Sequence, residues 1–156
     1  MTATEVSGGM QALMFAAVGD LPPRSYASID AGEPVRRAIE IMCEKGRGAV
    51  LIEEDGALVG IFTERDVVSR VDHTDPASAQ VSVRDVMTPH PTVIRRPDSL
   101  AEALRRLIQG RRRHLPIIDD KGKVVGLLSI RDILTYVASK FPEEMVNLPP
   151  NPDRGF

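Results

Sequence analysis

Val59-Gly60-Ile61-Phe62-Thr63-Glu64-Arg65-Asp66-Val67-Val68 returns 66 residues later as Val125-Gly126-Leu127-Leu128-Ser129-Ile130-Arg131-Asp132-Ile133-Leu134. An apolar strand-like run, a Thr or Ser, and an Asp three residues on, recurring at a fixed period, mark two copies of one supersecondary unit. Outward from this core the repeat continues. Val18, Asp20, Leu21 and Ile29 match Val83, Asp85, Val86 and Ile94 at an offset of 65, and Val35, Ala38, Ile39 and Met42 match Leu100, Ala103, Leu104 and Leu107 at the same offset. From Ala49/Leu115 to Val71/Val137 the offset reads as 66, which places one extra residue of the second copy just before that stretch.

The apolar period changes in the same order within each copy. A short strand near Ser25 to Ile29, or Thr92 to Ile94, precedes a helix with apolar residues at i, i+3, i+4 and i+7. Pro34 suits the first turn of one helix, and Ser99 with Glu102 reads as a capping box opening the other. Two apolar runs follow around a turn, Glu53-Glu54-Asp55-Gly56 in the first copy and Asp119-Asp120-Lys121-Gly122 in the second. A last helix starts at Thr63 or Ser129 and is expected to bury Val67, Val68 and Val71, or Ile133, Leu134 and Val137. The fold class is therefore α/β (α+β): tandem β-α-β-β-α units, each a small mixed sheet with helices on one face. One unit is too small to be stable alone, so the two pack with pseudo-twofold symmetry.

The organisation read from this is an N-terminal, partly helical segment over 1–17, one repeat over 18–71, a polar linker over 72–82, a second repeat over 83–140 and an extended, proline-rich tail over 141–156. With 42% apolar residues the chain can fill a core, and a net charge of −2 gives no bulk attraction to nucleic acid or anionic membrane. No apolar run approaches the ~20 residues of a membrane span. No Lys or Arg precedes Arg24, so a positively charged leader is not indicated and a cytoplasmic location is expected. The single cysteine, Cys43, excludes an intrachain disulfide and is read as a packed thiol.

Thr63-x-x-Asp66 and Ser129-x-x-Asp132 admit two readings. A hydroxyl followed by an acid at a helix start caps the helix, worth about 0.5–2 kcal/mol. The same helix start offers free N–H groups to a phosphate, while a carboxylate accepts the hydroxyls of a ribose; Arg65 and Arg131 would add positive charge. His73, His90 and His114 have no metal-ligand spacing, no nucleophile elbow or phosphate-binding loop is present, and no catalytic constellation is found, so neither a metal nor an enzyme activity is expected.

The succession of apolar strand, Gly, two apolar residues, Thr or Ser, two residues and Asp, given twice, resembles a CBS-domain pair, or Bateman module. Asp85-Val86-Met87-Thr88-Pro89 and Arg113-His114-Leu115-Pro116-Ile117 carry the same likeness. The resemblance implies a stand-alone regulatory module with no required cofactor that binds an adenosine ligand in the clefts between the repeats. AMP, ADP or ATP is the implied class, with NAD and S-adenosylmethionine as further members. It assigns Asp66 and Asp132 to ribose and Thr63 and Ser129 to ribose or phosphate. Thr92, Pro116 and, in the first copy, Val50 would frame adenine, and Arg113, His114 and Arg131 would face phosphate. The cleft containing Asp132 is the favoured one, because the first copy departs from the pattern at Ala27, Asp20-Leu21-Pro22-Pro23 and Gly48-Ala49-Val50. The resemblance further implies a homodimer and a regulated protein partner.

Two alternatives of other classes stay open: an interaction or scaffold module whose Thr/Ser-Asp pairs only cap helices, and a nucleic-acid-binding protein using Arg111-Arg112-Arg113. That arginine run also reads as a solvated helix end, or as a phosphate contact through Arg113. The absence of aromatic residues within it argues against base stacking.

Overall fold

The computed structural model describes residues 13–22 and 24–140. The expectations for residues 1–12 and for the proline-rich tail lie outside them. The strands are β1 (Ser28–Asp30), β2 (Ala49–Glu54), β3 (Ala57–Thr63), β4 (Thr88–Pro89), β5 (Ile94–Arg95), β6 (His114–Ile118) and β7 (Val124–Ser129). The α-helices are α1 (Val35–Lys45), α2 (Glu64–Arg70), α3 (Val83–Val86), α4 (Leu100–Gln109) and α5 (Ile130–Lys140), with 3-10 turns at Val18–Asp20 and Pro76–Gln80. Residues 13–15 are also helical.

In each unit the first strand runs parallel to the second and the second pairs with the third as an antiparallel hairpin. Helix α1 ends where Gly46, in the left-handed region at φ 57°, lets Arg47 N–H donate to Met42 O. Helix α4 has only half of its expected capping box. Ser99 Oγ accepts from Glu102 N–H, but the Glu102 carboxylate is taken by Arg105 and Arg106, whose hydrogen bonds hold it down to about 2.

The hairpin turns account for the slip between the copies. Glu53 faces Leu58 and Ile118 faces Val124, so four residues close the first turn and five the second. Asp55 and Gly56, both at positive φ, form the tight first turn, and Asp119 Oδ1 organises the longer one by accepting from Lys121 and Lys123 N–H. The extra residue thus sits in the turn and not ahead of β2. Val50 faces Phe62 as Leu115 faces Leu128, and Leu51 faces Ile61 as Pro116 faces Leu127. The counterpart of Pro116 is therefore Leu51, which corrects the pairing of Pro116 with Val50. A one-residue shift moves a strand side chain to the opposite face.

Those two faces have separate fates. Val50, Ile52 and Phe62 pack with Val35, Ala38 and Met42 beneath the helices. Ala49, Leu51 and Ile61 pack across the pseudo-twofold axis on Val124, Ile118 and Leu127 of the second sheet. Full burial of a side chain such as Leu51 contributes about 1.5–3 kcal/mol.

Each unit is completed by the segment that precedes the other. Ala16, Val18 and Leu21 enter the second unit's core with Ile94, Leu100 and Leu115, while Val83 and Met87 enter the first. Val18 N–H donates to Asp98 O, fixing the exchange in the backbone. The exchange also makes β4, a strand the apolar pattern does not show, which pairs antiparallel with β3 and gives the first sheet four strands against three in the second. Three further expectations change. Val68 and Leu134 are 76% and 57% exposed, on the outer side of α2 and α5, and Cys43 is an exposed thiol because it falls outside the α1 stripe.

Candidate functional site

At the end of β3 the chain leaves the sheet at Thr63 and starts α2 at once; β7, Ser129 and α5 repeat the arrangement. Both hydroxyl-and-acid pairs are complete caps. Asp66 Oδ2 accepts from Thr63 N–H at 2.8 Å and from Thr63 Oγ1 at 2.7 Å, and Asp132 Oδ2 accepts from Ser129 N–H and Oγ, both at 2.8 Å. Each cap occupies only Oδ2. The two carboxylates are 5% and 8% exposed, and each borders a cleft between the units. Capping and ligand binding are thus compatible in one carboxylate.

Around Asp66, Oδ1 meets only long contacts, with Thr88 Oγ1 and Arg70 Nε each at 3.4 Å. The cavity it borders measures about 680 Å3, within the roughly 300–1,000 Å3 of small-molecule pockets. One wall is the start of α2 with Thr63, Arg65 and Asp66; the opposite wall is the chain from Thr88 to Thr92; the third is the turn from Gly110 to His114. Five arginines line it, Arg65, Arg70, Arg111, Arg112 and Arg113, against the two acids Glu64 and Asp66. Arg111 is held at φ 48° after α4, and its carbonyl accepts from Arg65 Nη1 at 2.8 Å, tying two walls together. Burial lowers the pKa of His114, partly offset by the nearby Glu64 and Asp132 carboxylates. The cavity is therefore positive, with a neutral imidazole inside and a buried carboxylate at its base.

The Asp132 cleft is different. It encloses about 120 Å3, and Arg24 reaches into it with Nε 2.6 Å from Asp132 Oδ1. The approach is close in distance but misaligned, so Oδ1 has a counter-charge and no hydrogen bond.

Of the residues singled out in the sequence, Thr63, Arg65, Asp66, Thr92, Arg113 and His114 come together around the large cavity. Thr92, Arg113 and His114 thus share a cavity with Asp66 and do not line the cleft of Asp132. Ser129 caps α5 beside Asp132, Arg131 is exposed and lines neither cavity, and Pro116 and Val50 are buried away from both. Val50 belongs to the first unit's core, for the register reason given above. Arg70, Thr88 and His90 also line the cavity, though none was assigned to the site from sequence; Thr88 and His90 share the Thr88-Pro89-His90-Pro91 run, whose placement on β3 is a tertiary event, and Arg70 ends α2. Among the described residues no three His, Cys, Asp or Glu side chains gather as a metal cluster, and no helix is long and apolar enough to cross a membrane.

Known proteins match this architecture. A protein with CBS domains from Burkholderia ambifaria superposes with a TM-score of 0.71 at 31% identity, covering 78% of this chain and 90% of that one. CBSX2 of Arabidopsis thaliana, solved in complex with AMP, gives a TM-score of 0.68 at 27% identity, covering 80% and 97%. Meiotically up-regulated gene 70 protein of Schizosaccharomyces pombe is 37% identical over 110 residues, 70% of this chain. The chain spans 15% of that relative's length, and 37 to 67% of the next three relatives matched. The CBS domain family profile matches twice, at residues 18–73 and 83–139. With both copies matched over most of its length, this chain belongs to the CBS-domain family as a tandem pair.

Proposed function

We propose that the chain is a non-enzymatic sensor that binds an adenine nucleotide of the AMP, ADP or ATP class in the Asp66 cleft and reports occupancy to a protein partner. The observation that carries this reading is the buried Asp66 carboxylate, whose Oδ1 is left without a short hydrogen bond at the base of a 680 Å3 cavity lined by five arginines. Two ribose hydroxyls suit an acceptor-only oxygen, and the arginines of the Gly110–His114 turn suit phosphate. The AMP complex of CBSX2 supports the ligand class. Binding would draw together the walls contributed by both units, which gives the ligand a differential affinity for the closed arrangement and hence a means of signalling. The exposed Val68 and Leu134, at equivalent places on α2 and α5, suit a homodimer face. A reducing, cytoplasmic setting suits the exposed thiol of Cys43.

A nucleic-acid role fits less well. The arginine run curves around a cavity in which no Phe, Tyr or Trp is available for stacking.

A thermal-shift panel of AMP, ADP, ATP, NAD and S-adenosylmethionine tests the reading on wild type, Asp66→Ala and Asp132→Ala. At ~100 times its dissociation constant a ligand stabilises by about 2.7 kcal/mol. The expected result is a shift of several degrees that disappears in Asp66→Ala and persists in Asp132→Ala. No shift with any of the five would overturn the sensor reading and favour an interaction module.

A further inference from the structure

We infer that Arg70 is a positioning residue of the Asp66 cleft: it ties the end of α2 to the start of the opposite wall and holds the carboxylate open toward the cavity. The inference rests on the nucleotide reading of that cleft, but its observations are separate. Arg70 stands four residues after Asp66, so the two side chains share one face of α2. A cation in the last turn of a helix ordinarily serves that helix's own free carbonyls. Arg70 reaches another segment. Its Nη1 donates to Val86 O at 3.0 Å and to Met87 O at 2.7 Å, at the end of α3, while its Nε faces Asp66 Oδ1 at 3.4 Å.

That segment leads directly into the opposite wall. Met87 is buried, with its side chain lying over Gly60 where any Cβ would collide with Sδ, and the next two residues form β4 against Gly60 and Ile61. Thr88 Oγ1, one residue beyond the second carbonyl, is the other group 3.4 Å from Asp66 Oδ1. Both groups that face this oxygen are thus attached to one segment, Thr88 covalently and Arg70 through two hydrogen bonds. Because the guanidinium is a rigid fork, holding Nη1 on the carbonyls fixes where Nε can stand. It stops short of a hydrogen bond to the carboxylate, whereas Arg24, which has no such carbonyl partner among the described residues, stands 2.6 Å from Asp132. The tethered cation therefore keeps Oδ1 free for the hydroxyls of a ligand, and a pull on Oδ1 reaches the wall through the same fork. The repeat does not need an arginine here to fold: the equivalent position in α5 is Tyr136, which packs on the second unit's core after the same kind of junction.

Hydrogen exchange and calorimetry on wild type, Arg70→Met and Arg70→Lys test the inference. The methionine variant removes the charge and the fork but keeps an unbranched stem. The lysine variant keeps the charge but cannot hold the carbonyls with one nitrogen and face the carboxylate with another. Without ligand, both variants should exchange faster than wild type at Met87 and His90, whose N–H groups donate to Val83 O and Val59 O, with the second unit unchanged. Unchanged exchange there, or an increase of the same size throughout the chain, overturns the inference whatever binds in the cleft. With ligand, both variants should lose affinity for AMP and for adenosine by the same factor, at least about 5-fold, because Arg70 acts through the carboxylate that meets ribose. A loss confined to AMP and restored by lysine would make Arg70 a phosphate contact, overturning the inference and leaving the nucleotide reading intact. Absence of AMP binding by wild type would overturn that reading, and faster exchange at Met87 and His90 in the variants would then uphold the tie between α2 and the wall.

Discussion

At Asp66 and at Asp132 the backbone does the same thing: a strand ends in a hydroxyl residue, a helix begins, and a buried carboxylate caps it through one oxygen. The clefts alongside are nevertheless unlike. One is open, about 680 Å3, with five arginines around it; the other is about 120 Å3 and contains an arginine in contact with its carboxylate. Duplication preserved the junction, because a helix cap stabilises the fold whatever lies beside it. The cleft walls come from parts of the repeats that lie outside the strand-to-helix junction, Thr88–Thr92 and Gly110–His114 for one and Val18, Leu21, Pro22 and Arg24 for the other, and these differ between the copies. A repeat thus keeps what folding requires and varies what a ligand would meet.

The sharpest way to break this comparison is to remove each carboxylate in turn. Asp66→Ala should weaken AMP binding about 10- to 150-fold, from the loss of charge-assisted hydrogen bonds worth roughly 1.5–3 kcal/mol. Asp132→Ala should leave the affinity within about twofold, as expected of a site that is closed. Equal losses measured by calorimetry would make the two clefts equivalent in use.

Stability should show the opposite pattern. Thr63→Ala and Ser129→Ala each remove a cap, and each should cost about 0.5–2 kcal/mol, lowering Tm by several degrees for a chain of this size. Similar costs in thermal melts would establish the structural equivalence of the junctions beneath their unlike clefts.

A smaller effect separates the phosphate wall from the ribose wall. Arg113→Ala should reduce AMP affinity by about 3- to 10-fold, an exposed charge contact being worth of the order of 1 kcal/mol, and should leave adenosine affinity unchanged. Loss of adenosine binding as well would move Arg113 from phosphate to base or ribose.

The smallest effect is in pH. His114 is held neutral by burial, so its pKa in the folded state lies below that in the unfolded chain. The unfolded state then binds more protons between the two values, and stability falls as pH drops from about 6.5 through the folded value. His114→Gln should flatten that part of the stability profile in melts between pH 7 and 5. An unchanged profile would place the acid sensitivity elsewhere.

Much of this architecture was legible in the chain. The period-2 runs and the i, i+3, i+4, i+7 stripes gave the order of strands and helices, and the recurring Thr/Ser-x-x-Asp gave the junctions. The misreadings have physical causes. Placing the extra residue before β2 and not in its turn reversed the face assigned to Val50, since strand side chains alternate; Val68 and Leu134 were apolar enough to look buried but lie on the outer side of short helices. The Asp132 cleft was favoured because its own repeat carries the fuller pattern. Pattern within a repeat says nothing about which repeat's segments will stand across from it.

By itself, then, the sequence determined that two β-α-β-β-α units exist, where each begins its capped helices, and which carboxylates cap them, because these follow from local periodicity and hydrogen bonding within a few residues. Only the tertiary structure decided that Val18–Leu21 and Val83–Met87 complete each other's units, that Thr92, Arg113 and His114 face Asp66, and that Arg24 meets Asp132. Those juxtapositions join residues as distant in sequence as Arg24 and Asp132, set by how two sheets and their exchanged segments bury their apolar faces, and no local pattern encodes them.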